Sequence, residues 1–325
     1  MSNYLVSGAA GFIASRVSEL LIADGHTVVG VDNLNDAYDV RMKHWRLARL
    51  KKLPNFKFHE GDICDLKAME QLFAEQGPFQ GVFNLAARAG VRYSVENPWV
   101  YVNTNMTGTL NMLEMSRRYN TPKFILASTS SLYGDNNPVP FKEEADTNHP
   151  LSPYAASKKG AEAMCYTYHH LYGLDVTVFR YFTVYGPAGR PDMSLFRFAQ
   201  WICEGRPVQV YGDGNQSRDF TYVDDIARGT ILGLKPLQYQ VINLGNDHPH
   251  ALIDVIHILE QKLGRPAKLV YGPVAKADVR ATRASIDKAR QLLGWQPGVS
   301  LEEGLGNLVD WYLQEREWAS QIETL

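Results

Sequence analysis

Cysteine is scarce in this 325-residue sequence. Cys64, Cys165 and Cys203 are odd in number, scattered, and in no metal-ligand spacing. That excludes a disulfide scaffold and a zinc ribbon, and points to buried thiols in a reducing compartment. Surplus charge is lacking as well. Lys+Arg 33 against Asp+Glu 35 leaves a net charge of −2, so nothing steers the whole molecule to nucleic acid or to a membrane surface. No apolar run could span a bilayer, and the N-terminus lacks the basic start and long apolar stretch of a signal peptide. The cytoplasm is the expected location. Repeats and low-complexity tracts are missing. His248 and His250 flank Pro249 with no carboxylate or cysteine set to complete a site, so no metal is expected.

What is present is an ordinary globular composition, 45% apolar and 21% charged, in a chain long enough for a large core. Short apolar runs at Tyr4–Val6, Val28–Val31, Phe56–Phe58, Val82–Leu85, Phe124–Ala127 and Val176–Phe182 alternate with amphipathic stretches such as Ser15–Ala23, Lys67–Glu75 and Asn103–Arg118. This alternation predicts an α/β fold: a Rossmann doubly wound parallel sheet covered by helices on both faces. After Gly186 the texture changes, with Pro187, Gly189, Pro191, Gly205, Pro207, Gly212 and Gly214 breaking the chain into short pieces. Helical patterns at Leu195–Glu204, Ala251–Leu263 and Leu301–Arg316, with a strand at Val208–Tyr211, predict a smaller mixed α/β lobe. The expected division is a nucleotide-binding domain over 1–183, which also receives segments near 218–245, and a discontinuous substrate-binding lobe mainly over 184–325. A small ligand would lie between them.

Gly8-Ala-Ala-Gly11-Phe12-Ile13-Ala14 directly follows a strand and directly precedes a helix. Gly8 permits the tight turn, and Gly11 lets backbone N–H groups approach a pyrophosphate at a helix N-terminus. Ala14 in the third position still allows close helix–strand packing. Asp32 ends the second apolar run, where an acid accepts hydrogen bonds from an adenosine ribose and repels a 2′-phosphate. The next residues, Asn33 and Leu34, supply no cation. Together these favour NAD over NADP.

Tyr154 and Lys158 stand four apart in Pro153-Tyr154-Ala-Ala-Ser-Lys158. On a helix that spacing shares one face, and Pro153 suits a helix start. Free tyrosine titrates near ~10. A neighbouring ammonium and the positive nicotinamide of NAD⁺ favour its phenolate. The cluster Ser128-Thr129-Ser130-Ser131 ends the fifth apolar run, and a hydroxyl there can share a proton with Tyr154 and a substrate alcohol.

Over essentially its whole length the chain resembles the extended short-chain dehydrogenase/reductase family. The motifs are Gly8-Ala-Ala-Gly11-Phe-Ile-Ala14, Gly61-Asp62-Ile63, Leu85-Ala86-Ala87, Asn103-Thr-Asn105-Met-Thr-Gly108-Thr109, Tyr154-xxx-Lys158 and Arg218-Asp219-Phe220-Thr-Tyr-Val223-Asp-Asp225. Ala14 stands where the family usually has a third glycine. The resemblance implies that Asp62 and Ile63 lie against adenine, that Ala86 and Ala87 line the pyrophosphate side with Leu85 counted among the cofactor contacts, and that Asn105 orders the Tyr–Lys region. It further implies that Tyr181 lies near the nicotinamide, and that Arg218 and Asp278 hold the nucleotide half of a UDP-sugar. Phe12, Ile13 and Asn33 are counted with the cofactor contacts.

Within the family the chain is most similar to the UDP-glucuronate 4-epimerase group. Ala89-Gly-Val-Arg92-Tyr-Ser94, Ser128-Thr129-Ser130-Ser131-Leu-Tyr-Gly134 and Phe182-Thr183-Val-Tyr-Gly-Pro187-x-x-Arg190-Pro-Asp-Met193 carry this. The family's dehydratases tend to show Asp-Glu at the Ser130-Ser131 positions, and its decarboxylases Glu at Ser131. By resemblance Thr183 and Arg190 approach a uronate carboxylate, with Ser130 or Ser131 beside them. Arg92 and Tyr211 are further expected substrate contacts, and Arg88 reads as a loop cation. The implied reaction is NAD-dependent 4-epimerisation through a transient 4-keto sugar by Thr129, Tyr154 and Lys158, in a homodimer. UDP-glucose or UDP-N-acetylhexosamine epimerisation and UDP-glucuronate decarboxylation are the alternatives.

Overall fold

The computed structural model describes residues 1–273 and 279–324. Its strands are β1 (Asn3–Ser7), β2 (Thr27–Asp32), β3 (Phe56–Glu60), β4 (Gly81–Asn84), β5 (Lys123–Thr129), β6 (Asp175–Tyr181), β7 (Thr183–Tyr185), β8 (Pro207–Tyr211), β9 (Ser217–Tyr222), β10 (Tyr239–Leu244), β11 (Pro249–Ala251) and β12 (Lys268–Gly272). Its helices are α1 (Phe12–Ala23), α2 (Arg41–Leu50), α3 (Leu66–Gln76), α4 (Val91–Glu96), α5 (Pro98–Tyr101), α6 (Gly108–Arg118), α7 (Pro153–Tyr172), α8 (Ser194–Cys203), α9 (Val223–Leu232), α10 (Leu252–Leu263), α11 (Asp287–Leu293), α12 (Leu301–Gln314) and α13 (Arg316–Ala319).

Seven strands form one sheet in the order β10-β6-β5-β4-β1-β2-β3, and every pair is parallel. Each strand sends alternate side chains to opposite faces. Tyr4, Val6, Phe83, Ile125 and Phe179 join the core under α1 and α9, whereas Leu5, Val82, Phe124, Leu126 and Val178 join the core under α3, α6 and α7. With both faces buried, the strands read as continuous apolar runs. The doubly wound α/β class is therefore as expected.

Helix α2 and the edge strand β10 are among the elements that the apolar runs did not mark. In α2 the buried positions are Met42, Lys43, Arg46, Leu47 and Leu50; two buried cations interrupt the apolar period on which a helix is recognised. The edge strand β10 lies beyond the start of the smaller lobe in sequence. That lobe holds a three-stranded sheet, β11-β9-β7, and a parallel pair, β12-β8, packed with α8, α10 and α12 around Phe198, Val210, Phe220, Ile256 and Leu308. Cys165 and Cys203 are buried, but Cys64 is only half-buried; burial and the neighbouring Asp62 push its thiol up to about 12. No helix among the described residues is long and apolar enough to cross a membrane.

Candidate active site

The sheet's carboxyl edge collects the singled-out residues, as open α/β sheets do. One cleft there is lined by Gly8, Gly11, Asp32, Asn33, Asp62, Ile63, Leu85, Ala86 and Ala87. The turn after β1 is tight because Gly8 sits at φ +71° and a Cβ on it would stand 2.8 Å from the Ala86 Cα. A Cβ on Gly11 would meet the Gly8 carbonyl oxygen at 2.8 Å. Only glycine lets these backbones approach so closely, and the bare turn leads straight into α1, so the residues fit a dinucleotide. Phe12 is buried beneath the turn and Ile13 packs against the α1-side core.

Asp32 serves the turn itself. Its Oδ2 accepts from the Ala10 amide at 3.1 Å and its Oδ1 from the Leu34 amide at 2.8 Å. Asn33 and Leu34 supply no cation, as read, but one stands beside Asp32 from elsewhere in the chain. Lys43 of α2, 5% exposed, places Nζ 3.5 Å from Asp32 Oδ1 and 3.0 Å from Asn35 Oδ1. Eleven residues separate Lys43 from Asp32, so proximity in sequence could not reveal it. Asn33 donates to Asp62 at 2.8 Å. Burial pushes the Asp62 carboxyl up, but the Cys64 amide and Asn33 more than offset it and leave it below its ordinary value.

Ser152 caps α7 by accepting from the Ala155 amide, with Pro153 in the first turn. That start sets Tyr154 and Lys158 on one face. Lys158 donates to the Ala127 carbonyl at 2.8 Å, and burial pulls its ammonium down to about 8 despite the nearby Glu162. Tyr154 is hydrogen-bonded to Thr129, and Thr129 Oγ1 donates to Ser131 Oγ at 3.2 Å. A proton path therefore runs Tyr154–Thr129–Ser131. Burial raises the Tyr154 phenol above its usual value, against the Thr129 bond and the Arg190 charge.

Asn105 lies in a π-helical turn, Val102–Thr107, where an ordinary helix was expected. The wider turn buries the Asn105 amide, which accepts from the Arg88 amide at 2.9 Å and donates to the Arg88 carbonyl at 3.0 Å and to Ser157 Oγ at 2.9 Å. Ser157 in turn donates to the Tyr154 carbonyl. Such turns concentrate at functional sites. Tyr181 is aligned with Thr129 across the β5–β6 ladder, but its hydroxyl pairs with Thr230 at 2.8 Å in the core under α9.

A second cleft is lined by Ser130, Ser131, Thr183, Arg218 and Thr282. Thr183 also borders a pocket with Arg190 and Met193. Arg190 forms a two-pronged pair with Asp192 through Nε and Nη2, and its charge is felt at Tyr154. Arg92 stacks 4.3 Å over the Tyr211 ring, which joins two expected contacts from opposite lobes. Asp278 lies outside the described residues. Thr282 accepts from the Asp219 amide at 3.1 Å. Sequence reasoning missed Asn35, Tyr38, Lys43 and Thr104 in the first cleft; their signal is polarity without period.

The GDP-mannose 4,6 dehydratase family model matches residues 5–308. A UDP-glucuronate 4-epimerase of Thermodesulfobacterium geofontis is 56% identical over 324 residues, 99% of this chain and 100% of that one. The crystal structure of UDP-glucuronic acid 4-epimerase from Bacillus cereus, in complex with UDP-glucuronic acid and NAD, is 35% identical with a TM-score of 0.90, covering 96% of this chain and 99% of that one. The UDP-glucose 4-epimerase of Thermotoga maritima, solved with UDP-glucose, is 37% identical with a TM-score of 0.89, covering 97% and 99%.

Proposed function

The chain belongs to the GDP-mannose 4,6 dehydratase family of extended short-chain dehydrogenases/reductases, and we infer that within it this member interconverts UDP-glucuronate and UDP-galacturonate by epimerisation at C4. The observation that carries the inference is the second cleft. Among its described lining residues are Ser130, Ser131, Thr183 and Arg218, and no carboxylate. Dehydration and decarboxylation of a keto sugar call for an acid at that place; epimerisation needs only a proton path and a hydride acceptor.

The first cleft is the NAD site, with Gly8 and Gly11 at the pyrophosphate and Asp32, Asn33, Asp62 and Ile63 about the adenosine. When bound, NAD supplies the acceptor and donor of the C4 hydride and a positive ring charge beside the phenol. Tyr154 takes the proton from the substrate 4-hydroxyl and gives it back, with Thr129 relaying it. Lys158, held on the Ala127 carbonyl, supplies positive charge on the same helix face. Arg218, together with Asp278, anchors the UDP half, so that the flat 4-keto sugar can turn over and receive hydride on its other face. Arg190 meets the uronate carboxylate. Because Asp192 engages its Nε–Nη2 edge, the carboxylate would approach the Nη1 side, near Thr183. That grip holds the carboxylate away from the alignment in which a β-keto acid loses CO₂.

A neutral UDP-hexose as substrate is supported by the likeness to the Thermotoga maritima enzyme; Thr183 and Arg190 favour the uronate. Trp99, 81% exposed, with Val95, Val102 and Tyr166, offers an apolar face for a homodimer. The free cysteines suit a cytoplasmic setting.

The test is incubation of the purified protein with UDP-glucuronate and no added NAD, with products resolved by NMR. UDP-galacturonate without CO₂ is expected. A pentose product would overturn the epimerase reading, and turnover of UDP-glucose alone would move it to neutral hexoses. Turnover should also fall as pH rises through about 8, where Lys158 loses its proton. The sign of the linkage separates this from unfolding. The folded-state pKa lies below the unfolded value of roughly 10.4, so between those values the unfolded chain binds more protons at this group. Its contribution therefore favours the fold increasingly as pH rises. A kcat profile flat from pH 7 to 10 would refute the assignment.

A further inference from the structure

We propose that Arg46 of α2 is the positioning residue of Arg190, tying the loop that carries it to the cofactor turn. Arg46 is 3% exposed and lies between the lobes. Its Nε and Nη2 both donate to the Ala188 carbonyl, at 3.0 and 2.7 Å, and Nη2 donates to the Gly189 carbonyl at 3.1 Å. Its Nη1 donates to the Ala10 carbonyl at 3.2 Å and to the Tyr38 hydroxyl at 2.8 Å. An arginine has five N–H donors, and these five bonds engage all of them with protein. Arg46 is thus a strut and not a ligand contact.

The two ends of the strut are the points that matter. Ala10 sits inside the Gly8–Gly11 turn, its amide already held by Asp32, so its carbonyl is a fixed anchor. Ala188 is a non-glycine residue at φ +52°, a left-handed conformation that its Cβ disfavours and that the two hydrogen bonds from Arg46 to its carbonyl maintain. Arg190 follows two residues later. Tyr38 completes the set, with the Arg46 guanidinium 5.6 Å and the Arg190 guanidinium 6.0 Å from its ring centroid. A lysine at position 46 would keep the charge and lose the fork that reaches three carbonyls at once.

This inference rests on the reading of Arg190 as the carboxylate contact. Its test is the affinity of the holoenzyme for UDP-glucuronate and for UDP alone, measured by calorimetry; both epimers carry the carboxylate, so turnover does not blur the readout. Arg46→Lys is expected to weaken UDP-glucuronate by about tenfold to a hundredfold, the range of a lost charged contact, and to leave UDP unchanged. Arg190→Ala should do the same, and the double variant should add nothing further. Equal weakening of both ligands, or additive losses, would reduce Arg46 to a general structural role and overturn the proposal. If Arg46→Lys does not fold, Tyr38→Phe removes one of the five hydrogen bonds and should give a smaller loss confined to UDP-glucuronate; no loss would overturn it. If the unmodified enzyme binds UDP-glucuronate no better than UDP, the uronate reading fails, and hydrogen exchange decides the strut separately. Faster exchange over residues 186–193 in Arg46→Lys or Tyr38→Phe sustains it, and unchanged exchange there refutes it.

Discussion

Replacing Tyr154 by phenylalanine is expected to lower kcat by about 10²- to 10⁴-fold, the range of a positioned acid–base group, with the fold and the bound cofactor intact. The expectation follows from how the ring is held. Tyr154 packs edge-on against buried Tyr101, with ring centroids 6.0 Å apart, and α7 is set by its own cap and by Asn105 through Ser157. None of these contacts uses the phenol oxygen. Its hydrogen bond is to Thr129, the next member of the proton path. Phenylalanine therefore removes the proton carrier and leaves the packing. Thermal unfolding should barely move, cofactor absorbance should co-purify as before, and NMR of UDP-glucuronate incubations should show almost no product. Turnover within a factor of ten of the parent enzyme would end the assignment of Tyr154 as the acid–base group.

Arg180→Met is expected to be the most damaging single change for stability, at about 3–5 kcal/mol. Arg180 on β6 and Glu162 on α7 have side chains only 5% exposed, and they pair through Nη2–Oε2 at 2.8 Å and Nε–Oε1 at 3.0 Å. Arg180 Nη1 also donates to the Tyr133 hydroxyl and the Glu143 carbonyl, both at 3.1 Å. Removing the cation strands a buried carboxylate and two further acceptors. Replacing both partners, Glu162→Met with Arg180→Met, removes the stranded charge and should recover a large part of the loss. Urea unfolding of the two variants measures this. A single variant within about 1 kcal/mol of the parent, or a double variant no better than the single, would contradict the account. The network also reaches the site. Ser128 donates to Glu162 at 2.5 Å, and Glu162 lies one turn beyond Lys158. The single variant should therefore shift the alkaline limb of the pH profile as well as the melting point.

The parts of this fold that sequence reveals are those in which apolar side chains repeat. β1, β2, β4 and β5 carry apolar residues on both faces, and the glycine turn, Thr129 and Tyr154–Lys158 sit where those runs end. Buried polar groups leave no such period. Helix α2 was invisible because Lys43 and Arg46 occupy its inward positions. For the same reason the cation beside Asp32 and the strut to Ala188 went unread. The direction of a hydroxyl was equally beyond reach. Tyr181 stands in register with Thr129, yet only tertiary packing decides that its oxygen meets Thr230. The π turn at Val102–Thr107 is a matter of one extra residue per turn, which no apolar period encodes. Burial adds an electrostatic effect that spacing does not carry. The Tyr–Lys spacing is as read, but desolvation raises the phenol more than the side chains around it lower it.

Strand β10 has a consequence for how the molecule is made. It pairs with β6 along its full length, from Tyr239 against Val176 to Leu244 against Tyr181. On a ribosome, β6 emerges some sixty residues before its neighbour, and until then its outer row of peptide groups is an open parallel edge on a strand that carries Val176, Val178 and Phe179. The chain must complete β7, α8, β8, β9 and α9 before that edge closes. The seven-stranded sheet is thus finished by a strand that follows much of the smaller lobe in sequence, and the large core cannot be complete before that part of the lobe has been made.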